Sequence, residues 1–146
     1  MYKVFLDTNI FISALDDTRK SHESAKNLIK NLYDDEKCIM LLSQDILTNI
    51  VYNSKNHRKE AVLMIKNMCD NPAFSIVSFS LDTILNACEY YLGKNNFSTK
   101  GEFEDALQYF CALENDCEKI YTDDKSSFPR LKISLCGSNG EEFYTA

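Results

Sequence analysis

Three aspartates stand where chemistry can be built. Asp7 closes the apolar run Val4-Phe5-Leu6, Asp124 follows Lys119-Ile120-Tyr121-Thr122, and Asp105 lies in the acidic first turn of Gly101-Glu102-Phe103-Glu104-Asp105-Ala106-Leu107. Ionised carboxylates brought close together repel, so such a group persists by raising a pKa or by binding a divalent cation. Hard oxygen ligands without His or Cys select Mg²⁺ or Mn²⁺. A cation that keeps waters can turn one into a nucleophile and neutralise charge developing on a phosphate. Each aspartate also has a local reading: Asp7, Thr8 or Asn9 can cap a helix, and Asp105 can complement a helix dipole.

The elements around these residues decide whether the three can meet. Val4, Phe5 and Leu6, followed by Ile10 and Phe11, read as a buried strand turning directly into a helix. Ser21 opens a helix with Ala25, Leu28, Ile29 and Leu32 inward, and Cys38-Ile39-Met40-Leu41-Leu42 is a second buried strand. Ser43 opens a helix with Ile46, Leu47, Ile50 and Val51 inward. The basic stretch Lys55-Asn56-His57-Arg58-Lys59 then precedes another carrying Ala61, Ile65 and Met68. Phe74-Ser75-Ile76-Val77 is a third strand. Ser80 caps a helix through Tyr91 that stops at Gly93, with an Asn95-Asn96 turn behind it. The helix of Asp105 runs on to Leu113, and Lys119 to Thr122 and Leu131 to Leu135 are the fourth and fifth strands. Strands alternating with helices predict a mostly parallel sheet with helices on both faces and right-handed crossovers. If strands one and four are neighbours, their carboxyl ends offer Asp7 and Asp124 to one crevice, and Asp105 can join them from above.

Composition sets the bounds. With 146 residues, 45% of them hydrophobic and 26% charged, the chain fits one globular domain over 1–146 able to bury a core. No repeat, low-complexity tract, signal peptide or membrane span is legible, so a cytoplasmic protein is expected. Cys38, Cys69, Cys88, Cys111, Cys117 and Cys136 form no Cys-x-x-Cys pair and lie far from His22 and His57, which reads as reduced thiols rather than a zinc site. A net charge of -6 argues against a broad basic nucleic-acid face, though not against a small local one.

Leu6-Asp7-Thr8-Asn9, Glu104-Asp105-Ala106-Leu107 and Tyr121-Thr122-Asp123-Asp124 together resemble the PIN-domain family, which includes the VapC-type toxin ribonucleases of bacterial toxin–antitoxin pairs. The resemblance spans nearly the whole chain. It implies a three-layer α/β/α sandwich with a mostly parallel five-stranded sheet, and metal-dependent cleavage of RNA with Mg²⁺ or Mn²⁺. It also implies a homodimer and, for the toxins, a neutralising antitoxin. By resemblance Asp7, Asp105 and Asp124 map onto the acidic metal-binding positions, and Thr8 or Thr122 onto a supporting hydroxyl. Asp123 rivals Asp124 for the strand-four position, and family spacing favours Asp124.

One position departs from the family pattern. Many members carry a Glu on the helix after the second strand, where Asn49 stands here, a neutral oxygen ligand at best. Glu102 and Glu104 can supply the missing charge from the Asp105 helix, since Glu102 and Asp105 share a face. The departure keeps a second reading open, a PIN-fold binding or regulatory module with weak or lost nuclease activity. A haloacid-dehalogenase reading fails because Asn9 stands where that chemistry needs a second Asp. A phospho-receiver reading fails for want of an acidic pair after strand one and of a nucleophilic Asp after strand three.

Overall fold

In the computed structural model, which describes residues 1–94 and 102–146, the apolar run that ends at Asp7 lies at the centre of the sheet. This is β1 (Tyr2–Leu6), whose Val4, Phe5 and Leu6 are buried between parallel neighbours on both sides. Burying side chains of this size contributes about 1.5–3 kcal/mol each. The chain continues through α1 (Thr8–Leu15), α2 (His22–Asp34), β2 (Cys38–Ser43), α3 (Gln44–Asn53), α4 (Arg58–Cys69) and β3 (Phe74–Val77). After α5 (Leu81–Leu92) and α6 (Glu102–Glu114) come β4 (Lys119–Tyr121), β5 (Ser134–Cys136) and β6 (Glu142–Tyr144).

The sheet order is β3-β2-β1-β4-β5-β6, with every pair parallel except β5–β6. The order reverses direction at β1, so the crevice between the carboxyl ends of β1 and β4 is the switch point where open α/β sheets bind ligands. Leu6 pairs with Tyr121 there, and Asp7 N–H donates to the Tyr121 carbonyl at 3.0 Å. Ser43 and Ser80 cap α3 and α5 as expected, accepting from the backbone N–H groups of Ile46 and Thr83. Helix packing then closes a core containing Phe11, Leu32, Ile46, Ile50, Met68 and Tyr109.

The mostly parallel α/β architecture agrees with the sequence reading, with three differences. The sheet has six strands rather than five, because Gly137 to Gly140 turn the chain back and β6 pairs antiparallel on the edge. Gly140 takes φ +85, a conformation that costs a residue without Cβ nothing. The fifth strand begins at Ser134 rather than Leu131, which is 43% exposed. Lys132 N–H instead donates to the Tyr109 hydroxyl at 2.7 Å, so that stretch is tied to a helix and not to a ladder. Ser21 stands at the head of α2 but makes no side-chain capping bond. The expected Asn95-Asn96 turn and Gly101 lie outside the described residues. All six cysteines are free thiols. Among the described residues no helix is long and apolar enough to cross a membrane.

Candidate active site

Asp7 is both a cap and a buried acid. Its Oδ1 accepts from Thr8 N–H at 2.8 Å, which starts α1, while Oδ2 accepts from the Thr122 hydroxyl at 2.8 Å and from Asn9 Nδ2 at 3.1 Å. Only 7% of the residue is exposed. Burial pushes its pKa up to about 6, the bonds from Thr122 and Thr8 oppose this, and the charges of Glu104 and Asp124 add to it. Asn9 also donates to Thr122 Oγ1 and accepts from Asp123 N–H, so the ends of β1 and β4 are laced together by side chains. Thr122 completes the lacing by accepting from Asp124 N–H at 3.1 Å.

Asp105 and Asp124 meet across one hydroxyl. Ser127 Oγ lies 2.5 Å from Asp105 Oδ2 and 2.6 Å from Asp124 Oδ2. A serine has a single proton to donate, so two ionised carboxylates cannot both be satisfied by it. Burial, then the charge of Asp7, raise the Asp105 pKa to about 7 against the Ser127 bond, with Asp124 and Glu104 adding to the rise. Burial also works to raise Asp124, but the Ser127 hydroxyl together with Ser126 N–H, Ser126 Oγ and Ser127 N–H outweighs it and holds that carboxyl below its usual value. A protonated Asp105 donating to Ser127, which donates onward to an ionised Asp124, satisfies every group.

The remaining candidate residues fall on either side of this centre. Asn49 faces the acidic group through Glu104: its Nδ2 donates to Glu104 Oε1 at 2.5 Å, and burial followed by the charge of Asp45 raises the Glu104 pKa. Beside them Gln108, 1% exposed, accepts from Ser43 Oγ at 2.6 Å and donates to Asp45 at 3.1 Å, tying α6 to the head of α3. Glu102 turns the other way, its Oε2 3.3 Å from Lys94 Nζ, an ion pair without hydrogen-bond alignment. Thr8 Oγ1 is buried without a partner. Asp123 does not share the Asp124 position: its Oδ1 accepts from Ser138 N–H at 2.8 Å, toward the β5–β6 turn. A side chain at Gly137 would press on it, since a Cβ there would lie 3.3 Å from Asp123 Oδ1.

The structure thus brings the three aspartates, Thr122 and, through Glu104, Asn49 into one region, and it adds contacts of Asn9, Ser127 and Gln108 that sequence reasoning did not anticipate. An Asp followed two and three residues later by Ser126 and Ser127 is a local turn signal that pointed to the hydroxyl beside Asp124. Nothing local pointed to Gln108, whose partners are 63 and 65 residues away.

All the acidic donors are hard oxygens, and the pKa values of Asp7 and Asp105 are raised first by burial and further by the neighbouring acids, both of which a divalent cation would offset, so the donor set fits Mg²⁺ or Mn²⁺ in kind. Among the described residues no three acidic, His or Cys side chains converge tightly enough to hold an ion as they stand, because Ser127 stands between Asp105 and Asp124.

The PIN domain family matches over residues 4–133. Ribonuclease VapC1 of Aquifex aeolicus (strain VF5) is 32% identical over 133 residues, covering 90% of this chain and 88% of the relative. Among solved structures, VapC20 of Mycobacterium tuberculosis, a sarcin-ricin-loop-cleaving toxin, superposes with a TM-score of 0.68 at 14% identity over 84% of this chain and 91% of that one. VapBC2 of Rickettsia felis, bound to a promoter DNA fragment, gives 0.65 at 17% identity over 92% and 98%. FitAB bound to a DNA fragment gives 0.66 at 15% identity over 97% and 99%. At these identities the solved structures speak for the fold alone.

Proposed function

The chain belongs to the PIN-domain family, and from that premise we propose that it is a ribonuclease that cleaves RNA phosphodiester bonds with the help of Mg²⁺ or Mn²⁺, as the toxin of a toxin–antitoxin pair. The observation that carries this reading is that Asp7, Asp105 and Asp124 lie within reach of one another's charge at the switch point, two of them with strongly raised pKa values. Perturbed acids in a crevice are what hydrolytic chemistry requires and what an ordinary surface avoids. The relative named ribonuclease VapC1 supports the activity, and the likeness to VapBC2 and FitAB supports an antitoxin partner.

Asp7, Asp105 and Asp124 would hold the ion, with Glu104 close by. A bound Mg²⁺ or Mn²⁺ supplies a more acidic water and neutralises charge on the phosphate. The protein's own groups do the rest. Thr122 and Asn9 fix the orientation of the Asp7 carboxylate, and the Ser126 and Ser127 groups keep Asp124 ionised. Asp105, with a pKa of about 7, can hold or release a proton at Oδ2 near neutrality. Glu104, held by Asn49, restores the charge that Asn49 lacks, which favours an active nuclease over a module with weak or lost activity. A homodimer is part of this reading, and the exposed Leu81, Leu85 and Leu92 of α5 give it apolar surface to bury.

The test is cleavage of RNA by purified protein with Mg²⁺ or Mn²⁺ against an Asp7→Asn control. Cleavage that needs the ion and vanishes in the variant is expected. RNA left intact by the natural protein under all conditions would make it a binding module.

A further inference from the structure

A second polar site opens beside the acidic one and has the opposite character. It is a cavity of about 320 Å³ lined by Lys20, Ser21, Ser24, Asp123, Lys125 and Ser138, with Gly137 and Asn139 at its rim. That is at the small end of the ~300–1,000 Å³ range of ligand sites. In a chain of net charge -6, two lysines and three serines around one small cavity are a local reversal of sign.

We infer that this cavity is a phosphodiester subsite, which takes a backbone phosphate of the RNA strand on the side of the acidic centre marked by Asp123 and Ser138. Three independent observations meet there. The first is the head of α2, a helix of 13 residues whose Ser21 makes no side-chain capping bond; His22 N–H is taken by the Arg19 carbonyl at 3.1 Å, and the rest of the first turn presents positive dipole to an anion. The second is Ser138, only 5% exposed: it spends its backbone N–H on Asp123, and its hydroxyl has no partner among the described residues. That hydroxyl belongs to a residue lining the cavity and is free to donate to an anion that enters it. The third is the pair of lysines. Lys125 keeps a loose contact with Glu141 at 3.6 Å and lies over the Phe143 ring, and Lys20 has no ion pair among the described residues.

The one acid in the cavity does not oppose this. Asp123 is itself a lining residue: its Oδ1 accepts from Ser138 N–H and holds that backbone in place, its Oδ2 is buried without a partner, and against its charge Lys20 and Lys125 leave the cavity formally one positive charge in excess. Its position next to Asp124 sets the register: a strand whose scissile phosphate lies at Asp124 passes Lys125 and Ser138 with a neighbouring phosphate. The inference rests on the nuclease reading only in taking the anion to be a phosphodiester of RNA.

Binding of a fluorescein-labelled, short mixed-sequence RNA pool, measured by anisotropy in EDTA over a range of salt, tests the subsite without cleavage. Each cation that neutralises a phosphate contributes about 0.7 to the slope of log affinity against log salt on a single strand. Lys20→Ala is expected to lower the slope by about that amount. Lys26→Ala, at an exposed lysine in the second turn of α2 and outside the cavity, is expected to leave it unchanged. Ser138→Ala should weaken binding about tenfold, as for loss of a hydrogen bond to a charged group. Ser24→Asp places a carboxylate where the phosphate would sit but suits the helix dipole, so its melting temperature should hold or rise while RNA affinity falls.

Equal slope changes for Lys20→Ala and Lys26→Ala would overturn the subsite. So would unaltered affinity in both serine variants, or no salt-dependent binding by the natural protein. Parallel cleavage assays with Mn²⁺ separate the two readings. Cleavage by the natural protein together with indifferent variants sinks the subsite alone, whereas Lys20-dependent binding without cleavage sinks the nuclease alone.

Discussion

Two carboxylate centres in this protein are built from the same parts and behave oppositely. Glu114, at the end of α6, accepts hydrogen bonds from Ser80 at 2.6 Å and from Thr83, and those bonds hold its pKa below the usual value. Asp7 accepts from Thr122 and Thr8 in much the same way, yet its pKa rises to about 6. The hydroxyls are common to both. What differs is water and company: Glu114 faces solvent with no acid shifting it, whereas Asp7 is buried with Glu104 and Asp124 near. Hydroxyl donors alone make a clamp between helices, and crowding with desolvation makes a site.

The largest expected effect separates the two centres outright. Asp7→Asn, and likewise Asp124→Asn, should reduce metal-dependent RNA cleavage on the order of 10²–10³-fold or more, with the melting temperature in EDTA unchanged or raised as repulsion is relieved. Glu114→Gln should leave cleavage as it is. Loss of melting temperature in EDTA with retained activity for Asp7→Asn would place that carboxylate with Glu114 among the structural ones.

The pH response of the metal-free protein is the next largest. Asp7 and Asp105 have folded pKa values of about 6 and about 7, above the ordinary value of 3.8. Between these limits the unfolded chain releases protons that the folded one keeps, so their stabilising contribution is complete below about pH 4 and is lost as pH rises through 6 to 7. The difference in melting temperature between wild type and Asp7→Asn in EDTA, followed from pH 4 to 8, should therefore move against the wild type. A pH-independent difference would mean that Asp7 titrates normally.

Asn49→Glu sharpens the contrast by adding crowding. The new carboxylate would face Glu104 in place of the present 2.5 Å hydrogen bond. Calorimetry with Mn²⁺ should report tighter binding, and melts in EDTA a lower midpoint, because ligand charge favours the ion and repels its neighbours without it. Asn49→Ala should cost less activity than Asp7→Asn. An Asn49→Glu variant matching wild type in both measurements would remove this helix from the site.

The smallest effect belongs to the clamp. Ser80→Ala removes both a cap of α5 and a donor to Glu114, and should destabilise by about 0.5–2 kcal/mol with no change in cleavage rate. Thermal melts and the RNA assay together check it.

How much of this could be read beforehand depended on distance along the chain. Asp7 and Asp124 follow apolar runs, and Asp105 begins a helix, so periodicity alone placed all three at element ends. Ser127 could not be assigned to Asp105 in advance, because its position depends on how the loop after β4 folds under α6. Gln108 reads from sequence as one polar residue in an amphipathic helix, and only the meeting of α6 with the head of α3 explains its burial. β6 escaped notice because three residues on a sheet edge carry too little pattern. The same shortness moved β5, where Leu131 has the right residue type and Tyr109 claims the backbone.

The lacing of Asp7 and Asn9 to Thr122 has a consequence for the life of the chain inside a cell. These contacts join residues 113 and 115 positions apart, so the centre does not exist until β4 has docked beside β1. Synthesis delivers the N-terminal elements first. A chain still on the ribosome carries Asp7 as an ordinary helix cap, before its partners from β4 have emerged. The acidic centre is assembled only when the later strands emerge, so its completion is timed by its topology.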